Sequence, residues 1–110
     1  MPQFTTVKDV VAVMPKYFLP EAAAGMNATL QLDLTDEGGG VWHLIVADGQ
    51  LTVNEGPAAN PNMTLKMTAA DYLAMINGEA SAMQMFMKGK VKVGGDMSLA
   101  MKLQNLFKMQ

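Results

Sequence analysis

Few side chains in this chain could do chemistry, and each can be weighed by its neighbours. His43 is the single imidazole and lies between Trp42 and Leu44 in an apolar stretch. If that stretch is a strand, alternation puts His43 on the face opposite the one shared by Trp42, Leu44 and Val46, so an exposed structural histidine is expected rather than a general base. Met83, Met85 and Met87 offer three thioethers, donors suited to Cu(I). Neither a cysteine nor a second histidine joins them, so they read as helix packing and no metal site is expected. Lys88, Lys90 and Lys92 make a local positive cluster beside Gly89, Gly94 and Gly95, but the segment lacks the residue order and the Ser/Thr of a phosphate-binding loop. It reads either as a solvated strand face or as a docking point for anionic headgroups or a ligand's phosphates. There is no G-x-S-x-G turn, no cysteine, and no pair of acids at cleft spacing. No catalytic residue and no cofactor are expected.

Composition narrows the classes further. Of 110 residues 50% are hydrophobic and only 16% are charged; counting the 10 glycines, the apolar share stands above the average of about 45–50%. A disordered chain would show the reverse balance. The net charge is −2 and there is no arginine, so nucleic acid is excluded as a partner and anions can be met only by lysine point charges. The length fits one domain, 1–110. The first ten residues have no basic start followed by an apolar run, so no signal peptide is expected, and the apolar run Val10 to Met14 is too short to span a bilayer. A cytoplasmic protein is the expected setting.

The elements that would position these residues follow from periodicity. Thr6 and Asp9 have capping-box spacing, and Val7, Val10, Val11, Met14 and Phe18 recur at helical intervals; Pro15 should stop or kink that helix. Pro20 to Ala24 predicts a helical turn closed by Gly25. From Met26 the period becomes two, with Ala28, Leu30, Leu32 and Leu34 on one face. Val41 to Ala47 and Leu51 to Val53 flank an Asp48-Gly49 hairpin signal, and Asn62 to Thr68 predicts a fourth strand. Thr68 and Asp71 cap a helix carrying Tyr72, Leu73 and Ile76, and a further helix is predicted from Ala80 to Met87. A fifth strand is expected over Lys90 to Val93, and a last helix, capped by Asp96, over Met97 to Lys108. The class is α+β, a mostly antiparallel sheet with helices on one face.

The last helix carries apolar residues round more of its circumference than one core stripe needs. That surplus fits plain core around a small sheet, a homodimer interface, or an internal cavity for an apolar ligand. Twelve methionines suit a deformable pocket.

Three stretches resemble a known family. Val41-Trp42-His43-Leu44-Ile45-Val46-Ala47-Asp48-Gly49, the strand-to-helix step from Asn62 to Asp71, and Phe86-Met87-Lys88-Gly89-Lys90-Val91-Lys92-Val93-Gly94-Gly95-Asp96-Met97 are similar to the sterol carrier protein 2 domain, the nonspecific lipid-transfer family. The resemblance implies a five-stranded sheet covered on one side by helices, enclosing a hydrophobic tunnel for fatty acids, fatty acyl-CoA, phospholipids or sterols, without catalysis. By position it implies lipid-binding residues at Leu32, Trp42, Leu44, Leu73, Ile76, Met83, Phe86, Met87, Leu99, Leu103 and Leu106. Apart from the resemblance, the apolar excess of the last helix and the flexible Gly94-Gly95 pair before it lead to the expectation that Leu103, Leu106 and Phe107 form a movable closure over the ligand. The expected partner is a lipid or fatty acyl ligand, with transient contact with membrane surfaces and a homodimer as further partners. The alternative is an accessory or dimerisation module that presents lipids to a separate acyl-CoA or isoprenoid-quinone enzyme. The Lys108-Met109-Gln110 ending lacks a peroxisomal S-K-L-like signal, in keeping with a cytoplasmic expectation.

Overall fold

The structure, a computed structural model, describes residues 4–103 with Leu106 and Phe107. Helix α1 (Val7–Tyr17) starts where the Thr6 hydroxyl accepts the Asp9 backbone N–H at 3.2 Å. Pro15 does not stop it: the helix runs two residues further. The proline lies in the last turn, where the missing N–H costs one bond to the Val11 carbonyl and no long stretch of helix lies beyond to be broken. A 3-10 turn over Pro20–Ala23 follows, and Gly25, at φ 75°, turns the chain into the sheet.

Five strands make that sheet: β1 (Ala28–Thr35), β2 (Gly40–Ala47), β3 (Gln50–Glu55), β4 (Met63–Thr68) and β5 (Lys92–Gly95), in the order β3-β2-β1-β4-β5. All neighbours are antiparallel except β1 and β4, which run parallel with Leu32 beside Leu65. Asp48 and Gly49, both at positive φ, make the two-residue turn from β2 to β3, as the sequence signal predicts. Helices α2 (Ala69–Ile76), α3 (Ala82–Met87) and α4 (Met97–Leu103) complete the chain in the expected order. The Thr68 hydroxyl accepts from Asp71 N–H at 3.0 Å, and Ser81 caps α3 by accepting from Gln84 N–H at 3.4 Å.

Alternation sets which face is dry. Leu30, Leu32 and Leu34, then Trp42, Leu44 and Val46, then Met63, Leu65 and Met67 are buried in three adjacent strands. Val7, Val10 and Met14 of α1 and Ala69 and Tyr72 of α2 join the same core. Helix α1 packs on β3, α2 on β1 and β4, and α4 on β4 and β5. On the opposite face the β3–β4 connection crosses β2 and β1. His43 Nδ1 lies 2.8 Å from the Gly56 carbonyl, the Gln31 side chain accepts from Ala58 N–H at 3.0 Å, and Asn62 accepts from Thr29 N–H at 2.7 Å. His43 is therefore structural, as expected, but half-buried under this connection rather than exposed.

Two boundaries differ from expectation. The fifth strand begins at Lys92 because Gly89, at φ 75°, and the Lys90 N–H to Met85 carbonyl bond at 2.9 Å use the preceding residues to finish α3. The last helix is described over Met97–Leu103, and Leu106 and Phe107, expected within it, are not helical. Gln104, Asn105 and Lys108 of the expected helix lie outside the described residues. Leu106 accepts the Leu19 N–H at 2.7 Å, Phe107 forms an antiparallel bridge with Phe18, and those two rings meet edge to face at 6.0 Å. Pairing with the segment after α1 satisfies backbone groups that one more helical turn would leave facing it.

These contacts generate three predictions. A Cβ at Gly39 would collide with the backbone of Leu34 and Thr35, whereas Gly38, at φ 82°, has open space around it. Urea denaturation should show Gly39→Ala losing about 2–3 kcal/mol and Gly38→Ala about 1 kcal/mol. Leu106 is 1% exposed, so Leu106→Ala should cost about 2–5 kcal/mol. Met87 is 79% exposed, so Met87→Ala should change stability by less than about 0.5 kcal/mol. The Asp96 carboxylate accepts the Ser98 hydroxyl at 2.6 Å and its N–H at 2.9 Å, and these bonds hold it below its ordinary pKa of 3.8. A lowered folded pKa stabilises above the ordinary value, and that contribution disappears as pH falls through the folded one. The stability advantage of the natural protein over Asp96→Asn, which keeps a capping oxygen, should shrink in urea titrations taken from neutral pH to below 3.8.

Candidate functional site

The expected lipid-binding residues separate into three layers. Leu32, Trp42, Leu44, Leu99 and Leu106 are core, and Leu32 and Leu44 are at 0% exposure, so no void wide enough for water touches either. Leu73, Ile76, Leu103 and Phe107 are half-buried against that core. Met83, Phe86 and Met87 face solvent, at 66%, 47% and 79% exposure. The structure thus gathers nine of these residues into one apolar body and puts the remaining three outside it. The expectation of a movable closure also changes. Leu106 is a pinned core residue, bonded to Leu19, while Phe107 is held by Phe18.

Sequence reasoning read Met83, Met85 and Met87 alike as helix packing, whereas Met85 is buried and the other two are exposed, and it did not place Met97, which is exposed at the start of α4, at the site. The signal for Met85 was available. Residues 83, 85 and 87 are two apart, a spacing that cannot lie on one helical face, so the middle one belongs opposite the other two.

An opening of about 170 Å³ lies under the start of the sheet, lined by Ala22, Ala24, Gly25, Met26 and Lys102. Sites for drug-sized ligands run to about 300–1,000 Å³, so a long acyl chain would need more room than this. Among the described residues the core contains no buried charged side chain, and its polar side-chain atoms are the Tyr72 hydroxyl and the Trp42 indole N–H. Titratable chemistry is sparse there too. Burial pushes the Tyr72 hydroxyl well above its ordinary pKa, so it stays neutral, and His43 is committed to the Gly56 carbonyl and to Asn54. No group of three His, Cys, Asp or Glu side chains able to hold a metal occurs among the described residues. The arrangement can hold apolar matter by dispersion and exclusion of water, and it offers no dedicated grip for a charged head.

Comparison with known proteins agrees with this geometry. The model of the SCP-2 sterol transfer family matches residues 16–108. Hydroxysteroid dehydrogenase-like protein 2 of Rattus norvegicus is 28% identical over 106 residues, which are 96% of this chain and 20% of that protein. Its Xenopus tropicalis counterpart is 32% identical over 87 residues, 78% of this chain and 21% of its own. The chain therefore spans about a fifth of the length of these relatives. Among solved structures, sterol carrier protein 2 like 2 of Aedes aegypti superposes with a TM-score of 0.74 at 21% identity, over 91% of this chain and 92% of that one. The sec-alkylsulfatase Pisa1 of a Pseudomonas species matches with a TM-score of 0.81 at 19% identity, over 94% of this chain but 16% of the enzyme. These likenesses share the α+β fold of five strands described above, and with the family model matched over most of its length the chain belongs to the SCP-2 sterol transfer family.

Proposed function

We propose that this chain is a non-enzymatic carrier that binds and transfers lipids, taking fatty acids, fatty acyl-CoA, phospholipids or sterols between its helices and the dry face of its sheet. The observation that carries the reading is an interior without a buried charged side chain among the described residues, apolar but for the Tyr72 hydroxyl and the Trp42 indole N–H, and closed by half-buried apolar residues on α2 and α4. Such an interior selects by apolar area rather than by headgroup. Leu32, Trp42, Leu44, Leu73, Ile76, Leu99, Leu103, Leu106 and Phe107 would form the walls, with Met83, Phe86 and Met87 at the outer rim. Because no void wide enough for water touches Leu32 or Leu44, uptake would separate the α3–α4 layer from the sheet, and the unbranched methionines there would refill the gap. A palmitated form of the Aedes aegypti protein SCP2L2 superposes with a TM-score of 0.67 and supports an acyl ligand for this chain. The cytoplasm is the compartment this reading expects, and no helix among the described residues is long and apolar enough to cross a membrane.

A second reading, a module that presents lipids to a separate enzyme or joins two copies of one, is favoured by length. Domains like this one fill only 20% of the dehydrogenase-like protein and 16% of the alkylsulfatase, and a ubiquinone synthesis protein, UbiJ-SCP2, superposes with a TM-score of 0.72. Native mass spectrometry of the purified protein separates the two: a carrier keeps or takes up lipid, whereas a pure scaffold stays empty.

Calorimetry across a saturated fatty-acid series tests the carrier directly. Each methylene buried is worth at most about 0.8 kcal/mol, so each two-carbon step should raise affinity by up to about fifteenfold. An affinity independent of chain length would overturn the proposal.

A further inference from the structure

The two open edges of the sheet are built differently. An edge strand offers unpaired N–H and C=O groups to any other strand, and natural sheets blunt it with a short strand, lysine, proline or a bulge. Edge β5 follows that practice: it is four residues long, carries Lys92 and ends in Gly94 and Gly95. Edge β3 does not. Its six residues, Gln50–Glu55, contain no lysine and no proline, and they pair with β2 in unbroken register, without a bulge. Because the turn at Asp48 and Gly49 makes Ala47 and Gln50 a hydrogen-bonded pair, the backbone groups of Gln50, Thr52 and Asn54 point to β2 and those of Leu51 and Val53 point outward. Among the described residues no backbone group takes these up. Leu51 and Val53 are also only half-buried, packed against the margin of the core.

We infer that β3 pairs antiparallel with β3 of a second copy of this chain, across a two-fold axis at Thr52, joining the two sheets into one. The strand is its own complement in this register. Leu51 lies opposite Val53 of the other copy and exchanges both backbone hydrogen bonds with it, so the outward groups are satisfied. The same pairs bring apolar side chains together on the helix-covered face and close the open margin of each core. On the other face Thr52 meets Thr52, a favourable β-branched pair, and Gln50 meets Asn54, an amide pair. Glu55, the one charged side chain of the strand, falls opposite Gly49, so no charge meets a like charge directly across the axis. The pairing goes beyond lipid binding and depends on neither reading of it: α4, on β4 and β5, lies toward the other margin of each sheet.

Sedimentation equilibrium of the full chain tests this. The natural protein should dimerise weakly, in the micromolar range, as suits an interface one strand wide. Thr52 is exposed, so Thr52→Lys should keep the urea midpoint that the natural protein shows as a monomer. It sets two ammonium groups opposite each other, and the dimer should weaken by about tenfold or more. Thr52→Glu should do the same. An equimolar mixture of the two variants should restore association, as a heterodimer that added salt weakens. Amide exchange at Leu51 and Val53 should slow as protein concentration rises. A natural protein that stays monomeric up to millimolar concentration would overturn the inference and leave the edge to an extended segment of another protein. So would a dimer that each Thr52 variant leaves intact, or a mixture that fails to associate.

Discussion

The parallel pairing of β1 with β4 is the constraint from which the rest of the architecture follows. A parallel neighbour cannot be reached by a tight turn, so the chain must cross the sheet to get from β3 at one edge to β4 on the far side of β1. Here the crossing is made by extended chain rather than by a helix, and it lies on the face where His43, Gln31 and Thr29 hold it. Every helix is thereby left for the other face. The outcome is an asymmetric sheet, polar and strapped on one side, wholly apolar under helices on the other.

Much of this was legible in local chemistry. Thr6, Thr68 and Asp96 announce helix starts because their side chains satisfy amide groups that would otherwise go unpaired. Strict alternation in Leu30 to Leu34 and Trp42 to Val46 fixes their inward face, since pleating leaves no other choice. What could not be read is whatever depends on partners distant in the chain. Nothing in Met63, Leu65 and Met67 says that their neighbour is β1 in parallel. That Leu106 and Phe107 are not helical goes with their pairing to Phe18 and Leu19, far away in sequence.

The candidate site was legible to the same degree. Leu32, Leu44 and Leu99 could be placed inside from pattern alone, yet the pattern is the same for a wall and for ordinary core. Helix α3 was harder, because methionine sits on both its buried and its wet sides, and residue type then carries no information about direction. Spacing does carry it, and in α3 spacing is the better guide.

The pinning of Leu106 beneath the segment that follows α1 reaches beyond the folded state. Leu106 is among the largest fully buried side chains, yet its partners lie near the opposite end of the described chain. Closing the core therefore waits on a loop that embraces the whole sheet, and contacts of such long range are slow to form. During synthesis α1 can settle on β3, and α2 on β1 and β4, before Leu106 has been made, so the part of the core that Leu106 fills is the last of these to close.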